Sequence, residues 1–126
     1  MKSYGIPGLI LIALLIICLL NSAWLTRRCG GWQAQLDEID SCARLDDWDS
    51  AGTKLDELYR DWLGVQTWLH ITMEHKELDE AEALFCRAIV LAEEEDSVEF
   101  RSHIADLGSQ LQLLDEMQQL SVENVL

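Results

Sequence analysis

Two histidines and a glutamate, His70, Glu74 and His75, lie within six residues of one another in the stretch WLHITMEHKELDEAE, which begins at Trp68. Imidazole and carboxylate groups bind metal ions and carry protons, so this spacing could serve a metal site or acid–base chemistry. On a regular helix His70 and Glu74 share a face, whereas His75 points about 140° away from His70. We therefore expect that the two histidines do not bind one metal ion from a regular helix.

The pattern H-x-x-x-E-H also differs from the zinc motifs H-E-x-x-H and H-x-x-E-H, whose histidines are four residues apart. One alternative function is a metal-binding sensor or enzyme centred on His70, Glu74, His75 and His103. The simpler interpretation places the cluster at the corner of a helical hairpin, where the helix dipole favours a histidine near a C-terminus. We predict no metal, no cofactor and no catalytic residue.

Other catalytic signatures are missing from the sequence. It contains no G-x-S-x-G element, phosphate-binding loop or dinucleotide fingerprint. The four cysteines, Cys18, Cys29, Cys42 and Cys86, form no C-x-x-C pair. Cys42 and Cys86 fall among helical apolar positions and are expected to be small buried hydrophobes. Whether Cys29, Cys42 and Cys86 form a disulfide is left open, and the sequence predicts a protein that is not an enzyme.

Charge is divided unevenly along the 126 residues. All 23 acidic residues lie beyond residue 29, whereas Lys2, Arg27 and Arg28 precede it. Such an acidic domain repels nucleic acid and anionic lipid, so nucleic acid is excluded as a partner, while basic proteins and cations stay possible.

An apolar run from Ile6 to Leu20 predicts an N-terminal membrane anchor. Tyr4 and Trp24 flank this run and are about 30 Å apart along a helix, the thickness of the hydrocarbon core. We expect contact with the lipid bilayer through residues 4–25. A cleaved signal peptide is the alternative, but the residues before its best cleavage site, after Ala23, fit poorly. The flanking positive charges are nearly balanced, and we expect the acidic domain on the extracytoplasmic side of a bacterial cell membrane.

Beyond residue 31 the apolar residues follow helical spacing. Helices are expected over 32–45, 48–73, 78–93 and 97–118, each with one apolar stripe. The stripes are Trp32, Leu36, Ile39, Ala43; Ala51, Leu55, Leu58, Trp62, Val65, Leu69; Leu78, Ala81, Phe85, Ala88, Ala92; and Phe100, Ile104, Leu107, Leu111, Leu114. The predicted fold is all-α: an N-terminal transmembrane helix (residues 1–29) followed by a small antiparallel bundle of about four helices (residues 30–126).

The two halves of this domain match at an offset of 49 residues. Asp47 then aligns with Asp96, and the stripes on both sides stay in register. The stretch around Asp47 offers Asp46, Asp47, Asp49 and Ser50 as N-cap candidates, and Asp96 with Glu99 is arranged like a capping box. The sequence therefore predicts two similar helical hairpins, arranged as a bundle or as a short tetratricopeptide-like stack.

Four segments resemble a bacterial family known as domain of unknown function 4363. They are DDWDSAGTKLDELYRDW (46–62), EHKELDEAE (74–82), LAEEEDSVEFRSHIADL (91–107) and the C-terminal LSVENVL (120–126). The resemblance implies a short, single-pass, membrane-anchored helical protein and carries no established activity.

Taken together, these features predict a membrane protein whose acidic helical domain is an accessory module for another membrane or envelope protein. The alternative is a homo-oligomeric structural membrane protein, which heptad-like stripes would suit. The expected interaction surface consists of Trp62, Trp68, His75, Val122, Val125 and Leu126.

Overall fold

The computed structural model describes the backbone of residues 2–125 and the side chains of residues 4–71 and 73–120. Within that range the chain forms four helices and no strand. They are α1 (Lys2–Arg44), α2 (Trp48–Thr72), α3 (His75–Glu93) and α4 (Ser97–Val125). The predicted all-α class, with a long apolar N-terminal helix preceding a helical bundle, is confirmed.

The helices form a closed ring of two helical hairpins. Helix α1 packs against α2 and α4, and α3 packs against the same two helices. Short turns make successive helices antiparallel. Because α1 also packs on α4, the ring closes, which distinguishes this bundle from an open tetratricopeptide-like stack.

Every residue of the four predicted stripes is buried in one core. The stripe of α1 is longer than expected, because it continues toward the N-terminus through Cys29 to Leu25 with the same steps of three and four residues. Burial of these four stripes against one another is the main stabilisation of the bundle.

The two hairpin turns are built alike, which confirms the 49-residue offset. The N–H of Asp47 donates to the carbonyl of Cys42, and the N–H of Asp96 donates to that of Leu91. Each aspartate also accepts a hydrogen bond on its side chain from the backbone N–H three residues later, at 3.3 Å and 3.2 Å. The same sequence signal therefore ends one helix and begins the next in both halves.

Helix α1 runs without a break from the apolar segment into the bundle. Gly30 and Gly31 lie inside this helix, where an added Cβ would meet no neighbouring atom. The predicted start of a separate helix at residue 32 is wrong, because Cys29 and Trp32 on the opposite side pack into the core and hold the glycine pair helical. The division into residues 1–29 and 30–126 stays a prediction, but the buried core begins before it, at Leu25.

By length and composition, α1 contains a segment that could cross a membrane, and none of its most apolar window is buried in the structure. The bundle therefore leaves most of this segment uncovered by the rest of the described chain.

Candidate functional site

The histidine cluster lies at the corner between α2 and α3. Helix α2 ends at Thr72, and Met73 is extended, with φ −132° and ψ 164°. Glu74 is also extended and precedes the first residue of α3, His75. Helix α3 thus begins three residues earlier than the predicted 78, and the corner is only two residues long.

This corner brings His70 and His75 together. Their Nδ1 atoms are 2.6 Å apart, and their ring centroids are separated by 4.8 Å. The expectation that the two rings point apart is wrong, because it assumed a regular helix and the extended Met73 and Glu74 reverse the chain between them. At this distance the Nδ1–H of one ring donates a hydrogen bond to the Nδ1 of the other, so the two histidines are a hydrogen-bonded pair.

The other members of the predicted metal cluster do not join this pair. His103 lies on α4, its Nδ1 is 2.9 Å from the carbonyl oxygen of Glu99, and it borders Cys86 of α3. Cys86 is eleven residues along α3 from His75, which is about 16 Å. Across the described part of the chain, no group of three or more histidine, cysteine, aspartate and glutamate side chains is arranged to hold a metal ion.

The expected interaction surface is divided by the structure. The prediction that Trp62 belongs to an interaction surface is wrong. This residue is 0% exposed, because it packs edge-on against Trp32 and stacks on Phe85 at the centre of the bundle. Trp68 and His75 are exposed at the end of the bundle nearest the apolar segment of α1. The side chains of Val122, Val125 and Leu126 lie outside the described residues.

A polar cluster that sequence reasoning missed joins α1 to α2 near the same end. The Asp61 carboxylate accepts hydrogen bonds from the Arg28 guanidinium at 2.8 Å and 3.0 Å and from the Trp32 indole N–H at 2.8 Å. Arg28 also lies against Trp24, with its guanidinium carbon 5.5 Å from the ring centroid. Asp61 immediately precedes Trp62, a residue of the buried stripe. In the sequence, that position indicates a carboxylate at the edge of the core.

The opposite end of the bundle, here called the distal end, gathers both acidic hairpin turns. Trp48 of the first turn packs edge-on against Phe100 after the second turn, with ring centroids 5.3 Å apart. A groove of about 370 Å³ lies there between α2 and α3, and Asp49, Asp56 and Glu93 line it together with Glu95. Such a concentration of carboxylates favours cationic groups.

The cysteines are free thiols in the structure. Cys29 is buried beside α4, and burial, followed by the charge of Asp115, raises its pKa to about 12. Cys42 is partly buried. Cys86 is exposed, so its expected burial is wrong: it follows the core residue Phe85 and points away from the stripe.

No curated protein and no solved structure matches the chain. A family model matches residues 20–125, a range that runs from the end of the apolar segment through the whole bundle. The chain therefore belongs to the family described as Domain of unknown function (DUF4363).

Proposed function

We propose that this chain is a non-enzymatic accessory protein, held in the bacterial cell membrane by α1, whose helical domain binds another membrane or envelope protein. The unbroken α1 carries the proposal. One helix supplies both the apolar segment and one quarter of the core, so span and bundle form a single body. A domain fixed to its anchor in this way is presented at a set height and orientation, which lowers the entropic cost of docking to a neighbour in the same membrane.

The distal end supports a partner with basic groups. It lies furthest from the apolar segment and exposes the acidic run from Glu93 to Asp96. The domain has few basic side chains to neutralise this run. Arg44 and Arg101, for example, both pair with Asp40 instead, at 3.1 Å and 2.9 Å. Uncompensated carboxylates would speed association with a basic segment and disfavour an acidic one.

The placement of this domain on the extracytoplasmic side is part of the proposal. One apolar segment followed by a helical domain is the usual plan of an uncleaved signal anchor, and this order of elements supports the proposal. Cysteine labelling with a membrane-impermeant reagent on intact cells tests this side directly, because Cys86 is exposed on the bundle.

Purification of the tagged full chain from native membranes tests the accessory role. We expect a stoichiometric partner to co-purify in mild detergent and to be lost when Glu93→Lys and Glu94→Lys reverse charge at the distal end. The matched control, Asp106→Lys with Glu116→Lys, makes the same change in net charge on exposed positions along α4 and should keep the partner.

Two results would contradict the proposal. A clean monomer from wild-type membranes would remove the partner altogether. A complex that contains only copies of this chain would instead support the homo-oligomer alternative. The mass of the purified complex separates these outcomes.

A further inference from the structure

The register of the helices limits how much of α1 the bundle leaves free. The Trp68 indole N–H donates to the Asn21 side-chain oxygen at 2.7 Å, which sets α2 against α1 at that level. Helix α2 continues four residues further, to Thr72, or about 6 Å toward the N-terminus of α1. The α2–α3 corner therefore lies level with about residue 17 of α1.

Helix α4 reaches a similar level. The Thr26 hydroxyl donates to Asp115 at 2.8 Å and accepts from the Gln119 amide at 3.3 Å. The backbone of α4 then stays helical to Val125, about 9 Å beyond Gln119. Two sides of the bundle thus extend past Leu25, toward the apolar segment.

The free part of α1 is consequently short. From Lys2 to about residue 17 it measures about 24 Å, whereas a bilayer's hydrocarbon core is about 30 Å thick. A helix shorter than the bilayer is accommodated when flanking groups enter the interface or the bilayer thins. With this span inserted in a bilayer of that thickness, the end of the bundle nearest to it meets the membrane surface.

The side chains at that end suit such contact. Trp68 is 45% exposed, Ile71 is 75% exposed, and Leu120 of α4 is 58% exposed. Tryptophan favours the membrane interface, because its ring is apolar and its N–H needs a partner, which Asn21 supplies here. At the nearby corner, the Nδ1 atoms of His70 and His75 share a hydrogen bond.

Charged residues at the α2–α3 corner limit how deeply the bundle can enter the bilayer. Glu74 and Lys76 are exposed there, and Glu77 is half-buried, accepting two hydrogen bonds from Gln110 at 3.0 Å. Their charges belong among headgroups and not in hydrocarbon. Interfacial elements commonly bury their apolar face only about 5–10 Å into that boundary, which matches the shortfall in span length.

We propose that Trp68, Ile71 and Leu120 form a lipid-contacting base, which seats the bundle in the headgroup region beside its own span. The inference rests on the membrane tether in the proposed function and adds a second, peripheral membrane contact. The bilayer is the occupant because the base is continuous with the apolar segment.

Tryptophan fluorescence of the full chain in nanodiscs, with and without brominated phosphatidylcholine, tests the base. Bromine quenches only rings that contact lipid. We expect Trp68→Phe to reduce the quenched signal and Ile71→Trp to increase it. Val98→Trp, on an exposed distal position, should add unquenched emission, and Ile12→Trp, in the apolar segment, should add strongly quenched emission.

The four variants separate the possible failures. If Ile12→Trp is quenched while Ile71→Trp behaves like Val98→Trp and Trp68→Phe changes nothing, the base does not touch lipid and the tether still stands. If Ile12→Trp is not quenched, the tether fails, and the base fails with it. Exposed positions were chosen so that each variant keeps the fold, which circular dichroism checks.

Discussion

Asp46 and Glu95 occupy the same place in the two hairpins, and both have left-handed backbones, with φ 57° and φ 56°. Each follows the last turn of a helix. The Asp46 N–H donates to the carbonyl of Ala43, and the Glu95 N–H donates to the carbonyl of Ala92, the residue that matches Ala43 in the other half. The matching geometry shows that each half of the domain reverses its chain by the same device.

Glycine at these two positions should stabilise the bundle. A left-handed backbone costs a residue with a side chain about 1–2 kcal/mol, and glycine escapes that cost. We expect Asp46→Gly and Glu95→Gly each to raise the free energy of unfolding by about 0.5–1 kcal/mol, with Glu95→Gly the larger because aspartate tolerates this conformation better. Chemical denaturation of the full chain in detergent measures both.

A control for the turn variants is Glu57→Gly, at an exposed position inside α2. There glycine should lower stability by about 1 kcal/mol. Destabilisation by all three changes would show that the turns do not need glycine's freedom.

The two central tryptophans should respond differently to loss of the indole N–H. Trp32 donates to Asp61, whereas the buried Trp62 Nε1 has no hydrogen-bond partner among the described residues. A buried, unpaired donor costs about 1–3 kcal/mol. Trp62→Phe removes that cost along with ring volume, so we expect it to be less destabilising than Trp32→Phe, by about 1–2 kcal/mol.

Denaturation midpoints of the two tryptophan variants, with equal slopes, measure this difference. The double variant Trp32→Phe with Asp61→Asn gives a check, since the Asp61 change should matter less once its indole donor is gone. Equal losses from both single changes would contradict the assignment of the hydrogen bond to Trp32 alone.

The thiols of Cys29 and Cys86 should differ in reactivity. The thiolate is the reactive form, and burial raises the Cys29 pKa to about 12. At pH 8 we expect Cys86 to be alkylated in the folded protein and Cys29 only after unfolding, as read by mass spectrometry. Cys86→Ser should remove the fast label, and Cys29→Ala should remove only the slow one.

The raised pKa also predicts a pH dependence. Because the folded pKa of Cys29 lies above its ordinary value of 9.0, the neutral thiol is favoured by folding. Its contribution to stability is complete below pH 9 and is lost as the pH rises toward 12. Cys29→Ala should flatten that part of the stability profile.

The glycines of α2 and α4 offer a matched pair. Gly64 is exposed, with open space around it, so Gly64→Ala should stabilise the helix by about 1 kcal/mol. A Cβ at Gly108 would come within 3.2 Å of the Gln33 side-chain oxygen, and Gln33 donates to the Gly108 carbonyl at 2.7 Å. Gly108→Ala should therefore gain less than Gly64→Ala, or lose stability. An equal gain at both sites in thermal unfolding would show that Gln33 moves away without cost.

The stripes and turns were predictable because they depend on local chemistry. Apolar steps of three and four residues identify a buried helix face, and every stripe residue is in the core. Asp47 and Asp96 mark the turns because a short carboxylate caps a helix. Trp62 could have been assigned correctly from the same signal, since it belongs to a stripe.

Other features depend on the backbone conformation between helices or on contacts from one helix to another. Nothing in the composition distinguishes a regular helix at Met73 from the extended residue that brings His70 to His75. Gly30 and Gly31 are weak helix formers, and only packing of the opposite face keeps α1 whole. The pairing of Asp61 with Arg28 and Trp32 required the register of two helices, which single-sequence patterns do not provide.

The unbroken α1 also has a mechanical consequence. From Leu25 to Arg44 it extends about 30 Å, so with the membrane tether proposed above the bundle would act as a stiff lever whose pivot is the membrane surface. Tilting the span by about 20°, an ordinary angle for a membrane helix, would swing the distal turns sideways by about 10 Å. Bilayer thickness, or pressure from a neighbouring span, would in this way be converted into the position of the acidic tip.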